Sequence, residues 1–251
     1  MKLGTILSPA ELPALAHRDL RGTTCVVFDI LRATSTFVTA LHHGAKEIIP
    51  VSEIAEAVAR HHRQPEILLA GERVGMKIRA AQSGGIDFDF GNSPREFTAE
   101  KVRGKTIVST TTNGTRALRA CAAAKTVLAG AFLNLAATAK FLLEQKSPEI
   151  LLVCAGTGDG VALEDVLAAG ALVELLLPRL ADRPVFWRTA DIANQAFAQL
   201  KTDLVATIGN SENGRRLLAI PELRDDVAFC AQRNVFNLVA EMSADGALRV
   251  K

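Results

Sequence analysis

Tyrosine is absent from this 251-residue chain and tryptophan occurs once. The core must therefore be mainly aliphatic, and Ala and Leu dominate the 49% hydrophobic content. No apolar run approaches the ~18 residues that a bilayer-spanning helix needs. The segment Met1-Lys-Leu-Gly-Thr-Ile lacks the apolar core of a signal peptide. Charge of one sign is also missing, because 29 basic and 27 acidic residues leave a formal charge of only +2. Neither a basic stripe nor a nucleic-acid-binding motif is present. These absences predict a soluble, cytoplasmic protein with no membrane or nucleic-acid partner, while a homo-oligomer is compatible with them. The four cysteines, Cys25, Cys121, Cys154 and Cys230, are widely spaced with no CxxC pair. That excludes the paired spacing of a structural zinc site and predicts buried, reduced thiols.

What is present is an alternation of strand-like and helix-like segments. Strands are predicted at Val26–Leu31, Glu47–Val51, Ile67–Gly71, Thr106–Thr111, Val127–Ala131 and Ile150–Ala155. Helices are predicted at Ala33–His43, from a Ser52 cap through His62, at Thr115–Ala124, at Leu135–Gln145 and at Leu163–Leu177. The stretch from Val74 to Pro94 reads as irregular, with room for a β-hairpin. The last third reads as helices at Asp191–Leu200 and Asn213–Leu218, then a strand at Val227–Cys230. The predicted fold class is α/β: three layers, α/β/α, with a parallel or mixed sheet and helices on both faces. A single domain over residues 1–251 is the expectation, with a two-lobed form left open. A chain of this length can bury roughly three-quarters of its unfolded surface.

Polar residues gather where the strand-like runs end, beside Gly or hydroxyl residues. In open α/β sheets, ligands bind beyond the carboxyl ends of the strands. Asp29 closes one run and is followed by Arg32, Thr34, Ser35 and Thr36. One reading makes these hydroxyls a helix cap and pairs Asp29 with Arg32. The other makes Asp29 a Mg²⁺ ligand beside amides and hydroxyls that hold an anion. Glu72 and Arg73 end another run, flanked by Gly71 and Gly75. Asn113-Gly114-Thr115-Arg116 forms a strand-to-helix turn suited either to a phosphate or to a plain cap. Glu164 and Asp165 open an apolar helix, through dipole preference alone or for metal binding or general-base work. Asp87, Asp89 and Asn92 lie in the irregular stretch.

Several chemistries drop out. Gly156-Thr-Gly158-Asp159-Gly160 has the wrong third-glycine spacing for a dinucleotide fingerprint and lacks the Gly-Lys-Ser/Thr of a P-loop. No Cys has an Arg at phosphate-cradle spacing, and Asp29-Ile-Leu31 lacks the second Asp of an aspartyl-phosphate phosphatase. The pair His61-His62 reads as solvated helix surface.

The ordered motifs Val27-Phe-Asp29-Ile-Leu-Arg32-Ala-Thr34-Ser35-Thr36, Ala70-Gly71-Glu72-Arg73 and Phe88-Asp89-Phe90-Gly91-Asn92-Ser93-Pro94 come first along the chain. Thr111-Thr112-Asn113-Gly114-Thr115-Arg116 follows, then Cys154-Ala-Gly156 with Leu163-Glu164-Asp165. Together they resemble the 2-phosphosulfolactate phosphatase family of coenzyme M biosynthesis. The resemblance implies an α/β, Mg²⁺-dependent phosphatase for a small phosphorylated acid. Its motif positions fall on Asp29, Arg32, Glu72, Arg73, Asn92, Asn113, Arg116, Glu164 and Asp165. The resulting expectation gives Mg²⁺ to Asp29 and Glu72. Arg32, Arg73 and Arg116 take the phosphate and the other anionic groups, helped by Thr34, Ser35, Asn92, Asn113, Gly114 and Thr115. Asp29, Arg32, Glu164 and Asp165 form the catalytic set, with Glu164 or Asp165 orienting or deprotonating water. The alternatives are a phosphatase for another phosphorylated hydroxy acid and a non-catalytic binder of phosphometabolites.

Overall fold

The computed structural model describes residues 2–179, 185–186 and 188–251. Its strands are β1 (Lys2–Ile6), β2 (Thr23–Phe28), β3 (Glu47–Pro50), β4 (Leu68–Arg73), β5 (Met76–Lys77) and β6 (Thr106–Thr110). They continue with β7 (Thr126–Gly130), β8 (Glu149–Cys154), β9 (Val185–Phe186), β10 (Ala240–Met242) and β11 (Leu248–Val250). The α-helices are α1 (Ala33–His42), α2 (Ile54–Arg63), α3 (Ala80–Ser83), α4 (Ala99–Val102), α5 (Gly114–Ala120) and α6 (Leu135–Gln145). After them come α7 (Leu163–Leu176), α8 (Arg188–Leu200), α9 (Leu204–Gly209), α10 (Glu212–Leu218) and α11 (Arg224–Cys230).

The strands form one mixed sheet in the order β5-β4-β6-β3-β11-β10-β7-β2-β8-β1-β9, with helices on both faces, so the fold is three-layered α/β/α. Two parallel half-sheets, β4-β6-β3 and β7-β2-β8-β1-β9, flank the antiparallel β10–β11 hairpin. Met242 pairs with Val127 of β7, and Leu248 with Ile48 of β3. β2, Thr-Thr-Cys-Val-Val-Phe, is buried along its whole length, as expected for a central parallel strand covered on both faces.

The sheet is rolled. Six strand steps separate β6 from β8, which is about 29 Å in a flat sheet. Yet Asn113, just past β6, donates from Nδ2 to the Ala155 carbonyl, just past β8, at 2.8 Å. The few intervening loop residues span at most ~10 Å, so the two half-sheets must curl toward each other. Helix α1 lies in the hollow, touching β3, β7, β10 and β11. Its residues Ala33–Leu41 are all buried, as befits a helix packed on every side. Burying Phe37, Val38 and Leu41 contributes about 1.5–3 kcal/mol each relative to exposure. Helix α7 packs tightly on α8, and a Cβ at Gly170 would collide with the Ala193 carbonyl.

Most elements lie within a few residues of their predicted places. The strand expected at Val227–Cys230 is instead helix α11. Its buried residues Asp226, Val227 and Cys230 follow helical spacing, and so short an apolar run does not distinguish the two periods. Ser52 does not cap α2. Glu53 occupies that position without a side-chain bond, and the Ser52 carbonyl accepts from Thr110 Oγ1 at 3.1 Å. The four cysteines are buried and free, as expected. A hairpin does form, but at the edge of the irregular stretch rather than inside it: β4, which precedes the stretch, turns at Val74-Gly75 into β5. Among the described residues no helix is long and apolar enough to cross a membrane.

Candidate active site

The rolled sheet brings the ends of β2, β4, β6 and β8 around one cavity of ≈ 330 Å³. Asp29, Arg32, Glu72, Arg73, Asn92 and Asn113 line it, so six of the sequence-predicted residues converge there. Asp29 follows β2 directly. Its Oδ1 accepts from Ala33 N at 3.0 Å, in the first turn of α1. Burial pushes the Asp29 carboxyl up to about 7, and the nearby carboxylates of Glu72 and Glu164 push the same way. The Ala33 amide and the Arg32 charge oppose that shift.

Glu72 ends β4 and is held on both oxygens. Oε1 accepts from Thr112 N and Oγ1, each at 2.8 Å, and Oε2 from Gly75 N at 2.7 Å. Arg73 is tied by Nη1 to the Glu72 carbonyl at 2.7 Å and by Nη2 to Thr110 Oγ1 at 3.0 Å. Arg32 is buried. It forms an ion pair with Asp226 of α11 at 2.8 Å and donates to the Gly75 carbonyl at 2.6 Å. The Asp29–Arg32 pair considered from the sequence is thus replaced by Arg32–Asp226. Ser93 Oγ donates to the other Asp226 oxygen at 2.6 Å.

Glu164 and Asp165 sit buried behind this cavity at the start of α7. Asp165 uses both oxygens on backbone amides, Ile30 N at 2.8 Å and Gly156 N at 2.9 Å. Burial, with Asp29 and Glu164 adding to it, raises the Asp165 carboxyl well above the ordinary range. Glu164 Oε1 accepts from Asn213 Nδ2 at 2.6 Å, while its Oε2 is buried with no partner among the described residues.

The hydroxyls are occupied locally. Thr34 Oγ1 accepts from Asp29 N at 2.9 Å, Ser35 Oγ donates to the Ile30 carbonyl, and Thr115 Oγ1 donates to the Thr111 carbonyl. None of the three lines the cavity. Gly114 is demanded by close approach, since a Cβ there would lie 2.5 Å from Ala33 Cβ and 2.6 Å from Asp29 Oδ2. Arg116 is exposed, outside the cavity lining, and reaches Asp159 at 3.6 Å. Asp87 and Asp89 are structural, accepting from the backbone amides of Ala80 and Leu69.

Sequence reasoning missed three residues: Asn213 and Arg216 on α10, which line the cavity, and Asp226. Short polar helices near the C-terminal end carry no strand-end signature.

Buried carboxylates facing arginines across a small cavity, at the carboxyl edge of an α/β sheet, define a site for a small anionic substrate. Comparison with known proteins gives the family. A family profile described as 2-phosphosulpholactate phosphatase matches residues 9–245. A probable 2-phosphosulfolactate phosphatase of Caldanaerobacter subterraneus subsp. tengcongensis is 38% identical over 233 residues, covering 91% of each chain. Its counterpart in Thermotoga petrophila is 39% identical over 216 residues, 86% of this chain and 87% of that protein. One from Clostridium novyi is 32% identical over 247 residues, 96% and 97% of the two chains. This chain belongs to the 2-phosphosulfolactate phosphatase family, and it is a phosphatase, a phosphoric monoester hydrolase.

Proposed function

We propose that the protein is a Mg²⁺-dependent phosphatase that cleaves the phosphate monoester of a small anionic hydroxy acid. The foremost substrate is 2-phosphosulfolactate, giving sulfolactate and phosphate. The observation that carries this reading is the single cavity in which Asp29 and Glu72 face Arg32 and Arg73. The buried thiols suit a reducing cytoplasm, and the family resemblance suggests coenzyme M synthesis as the context.

The donor set fits a Mg²⁺ ion. Asp29 and Glu164 crowd their carboxylates into a buried space, and Glu164 Oε2 has no hydrogen-bond partner among the described residues. Among the described residues no group of three or more acidic, His or Cys side chains is arranged to hold a metal. Mg²⁺ commonly keeps several waters and takes only one or two carboxylates, here Asp29 with Glu72. When bound, it would neutralise charge on the phosphate oxygens and so favour attack at phosphorus.

The chain's own residues do the rest. Arg32 and Arg73, fixed by the bonds above, present cations to the phosphate, and Asn92 and Asn113 add polar contacts. Water attacks phosphorus as the ester P–O bond breaks. Glu164 takes the water's proton and returns it to the departing alkoxide. Asp165, with each oxygen accepting from one backbone amide, instead holds Ile30 and Gly156 in place.

The test is phosphate release from a panel of phosphorylated hydroxy acids, 2-phosphosulfolactate included, with Mg²⁺ or EDTA. Mg²⁺-dependent turnover is expected, strongest on 2-phosphosulfolactate. Equal turnover in EDTA would remove the metal from the mechanism. Silence from folded, Mg²⁺-loaded protein across the panel would favour a non-catalytic binder.

A further inference from the structure

We infer that Arg216, oriented by Asn213, is the subsite for the substrate's second anionic group, an oxyanion remote from the ester phosphate. The inference rests on the phosphatase reading above for the presence of two anionic groups in one ligand.

Both residues sit on one face of α10, three positions apart, and both line the cavity. The arginines of the cavity differ in how their charge is met. Arg32 is already balanced by the buried carboxylate of Asp226 at 2.8 Å. Arg73 is held by its own strand and by β6, through the Glu72 carbonyl and Thr110. Arg216 makes one hydrogen bond, from Nη2 to the neutral Asn213 Oδ1 at 3.0 Å, and has no carboxylate partner among the described residues. A guanidinium carries five N–H donors, so most of its capacity faces the cavity mouth unspent. Its planar fork suits the paired oxygens of a carboxylate or a sulfonate.

Asn213 cannot swing freely, because its amide nitrogen donates to Thr157 Oγ1 at 2.5 Å and to Glu164 Oε1 at 2.6 Å. Arg216 is therefore linked, through one amide, to the carboxylate given the proton-transfer role. Asp29 and Glu72 come from the sheet edge, whereas Arg216 comes from the helical segment after it. A ligand with two anionic ends can bridge those walls, its phosphate on the sheet side and its second oxyanion on α10.

The test measures binding by calorimetry to wild type, Arg216→Gln and Arg216→Lys. The probes are inorganic phosphate, sulfolactate and lactate, the last lacking the sulfonate. Arg216→Gln should weaken sulfolactate at least thirtyfold and leave phosphate within about threefold, with Arg216→Lys recovering part of the loss. If lactate weakens in parallel, the carboxylate occupies the subsite; if sulfolactate alone weakens, the sulfonate does. Parallel loss of phosphate and sulfolactate would overturn the inference, placing Arg216 at the ester phosphate. Unchanged sulfolactate binding, or none to wild type, would overturn it as well. Arg216 is exposed, so the variants should fold, and a thermal melt checks that they do. Wild type that binds sulfolactate through Arg216 yet releases phosphate from no ester would refute the phosphatase mechanism and leave the subsite standing.

Discussion

Substituting Asp226 removes the one carboxylate within ion-pair distance of Arg32 among the described residues. The pair is 2.8 Å apart, with 3% of the Arg32 side chain and none of the Asp226 side chain exposed. Asp226→Ala leaves a buried guanidinium uncompensated and strips Ser93 Oγ of its 2.6 Å acceptor. Breaking such a pair from one side costs about 3–5 kcal/mol. That is a large share of the ~5–15 kcal/mol by which domains are usually stable. At ~2–4 °C per kcal/mol for a chain of this size, the midpoint should fall by about 6–20 °C. Asp226→Asn keeps an acceptor for one Arg32 donor and should lose less. The assay is urea and thermal unfolding of wild type, both single variants, Arg32→Leu, and Arg32→Leu combined with Asp226→Leu. The double variant should recover much of the loss, because neither charge is then stranded. A loss below about 1 kcal/mol for Asp226→Ala would refute the reasoning, since Arg32 would then have found water or another partner.

Asp29 holds its proton up to about pH 7, against an ordinary 3.8. Between those values the folded state binds more protons than the unfolded one, so stability should decline as pH rises from about 4 to about 7. If Asp29 holds Mg²⁺ as proposed, the ion competes with that proton, and its apparent affinity should strengthen by up to roughly tenfold per pH unit over the upper part of the window. An Asp29→Asn protein with the wild-type pH slope in denaturation would refute this. Gly114→Ala drives a methyl into Ala33 and Asp29; phosphate release should drop at least tenfold and stability by about 1–3 kcal/mol. Wild-type kinetics from that variant would show that the turn yields without moving Asp29. Arg116→Ala should keep phosphate release within about twofold and stability within about 0.5 kcal/mol, as its contact with Asp159 is solvent-exposed. A hundredfold loss would return Arg116 to the phosphate site.

The half of the site carried by strands was legible because parallel α/β architecture delivers strand-end residues to one edge. Asp29, Glu72 and Asn113 could be read from apolar runs ending in polar residues. Their convergence was not legible, because it depends on the roll of the sheet, and β6 meets β8 only across six intervening steps. Thr34, Ser35 and Thr115 looked like an anion cradle, but short hydroxyl side chains satisfy nearby backbone groups first. Asn213, Arg216 and Asp226 stayed hidden in helices of seven residues, where composition alone resembles any solvated surface. The β10–β11 hairpin was also missed, although Asp245-Gly246 between Ala240-Glu-Met and Leu248-Arg-Val is a recognised turn signal.

That hairpin has a bearing on how the chain reaches its native state. Among the described residues the interior edges of β3 and β7 have no other strand neighbour, and β10 and β11 follow both of them in the chain by more than a hundred residues. Until residues 240–250 dock, a nascent or refolding chain carries two open β-edges facing a helix that is itself only partly enclosed. Pairings between residues so distant in sequence form late and slowly. The interval before closure is therefore when the open edges leave the chain most exposed to self-association.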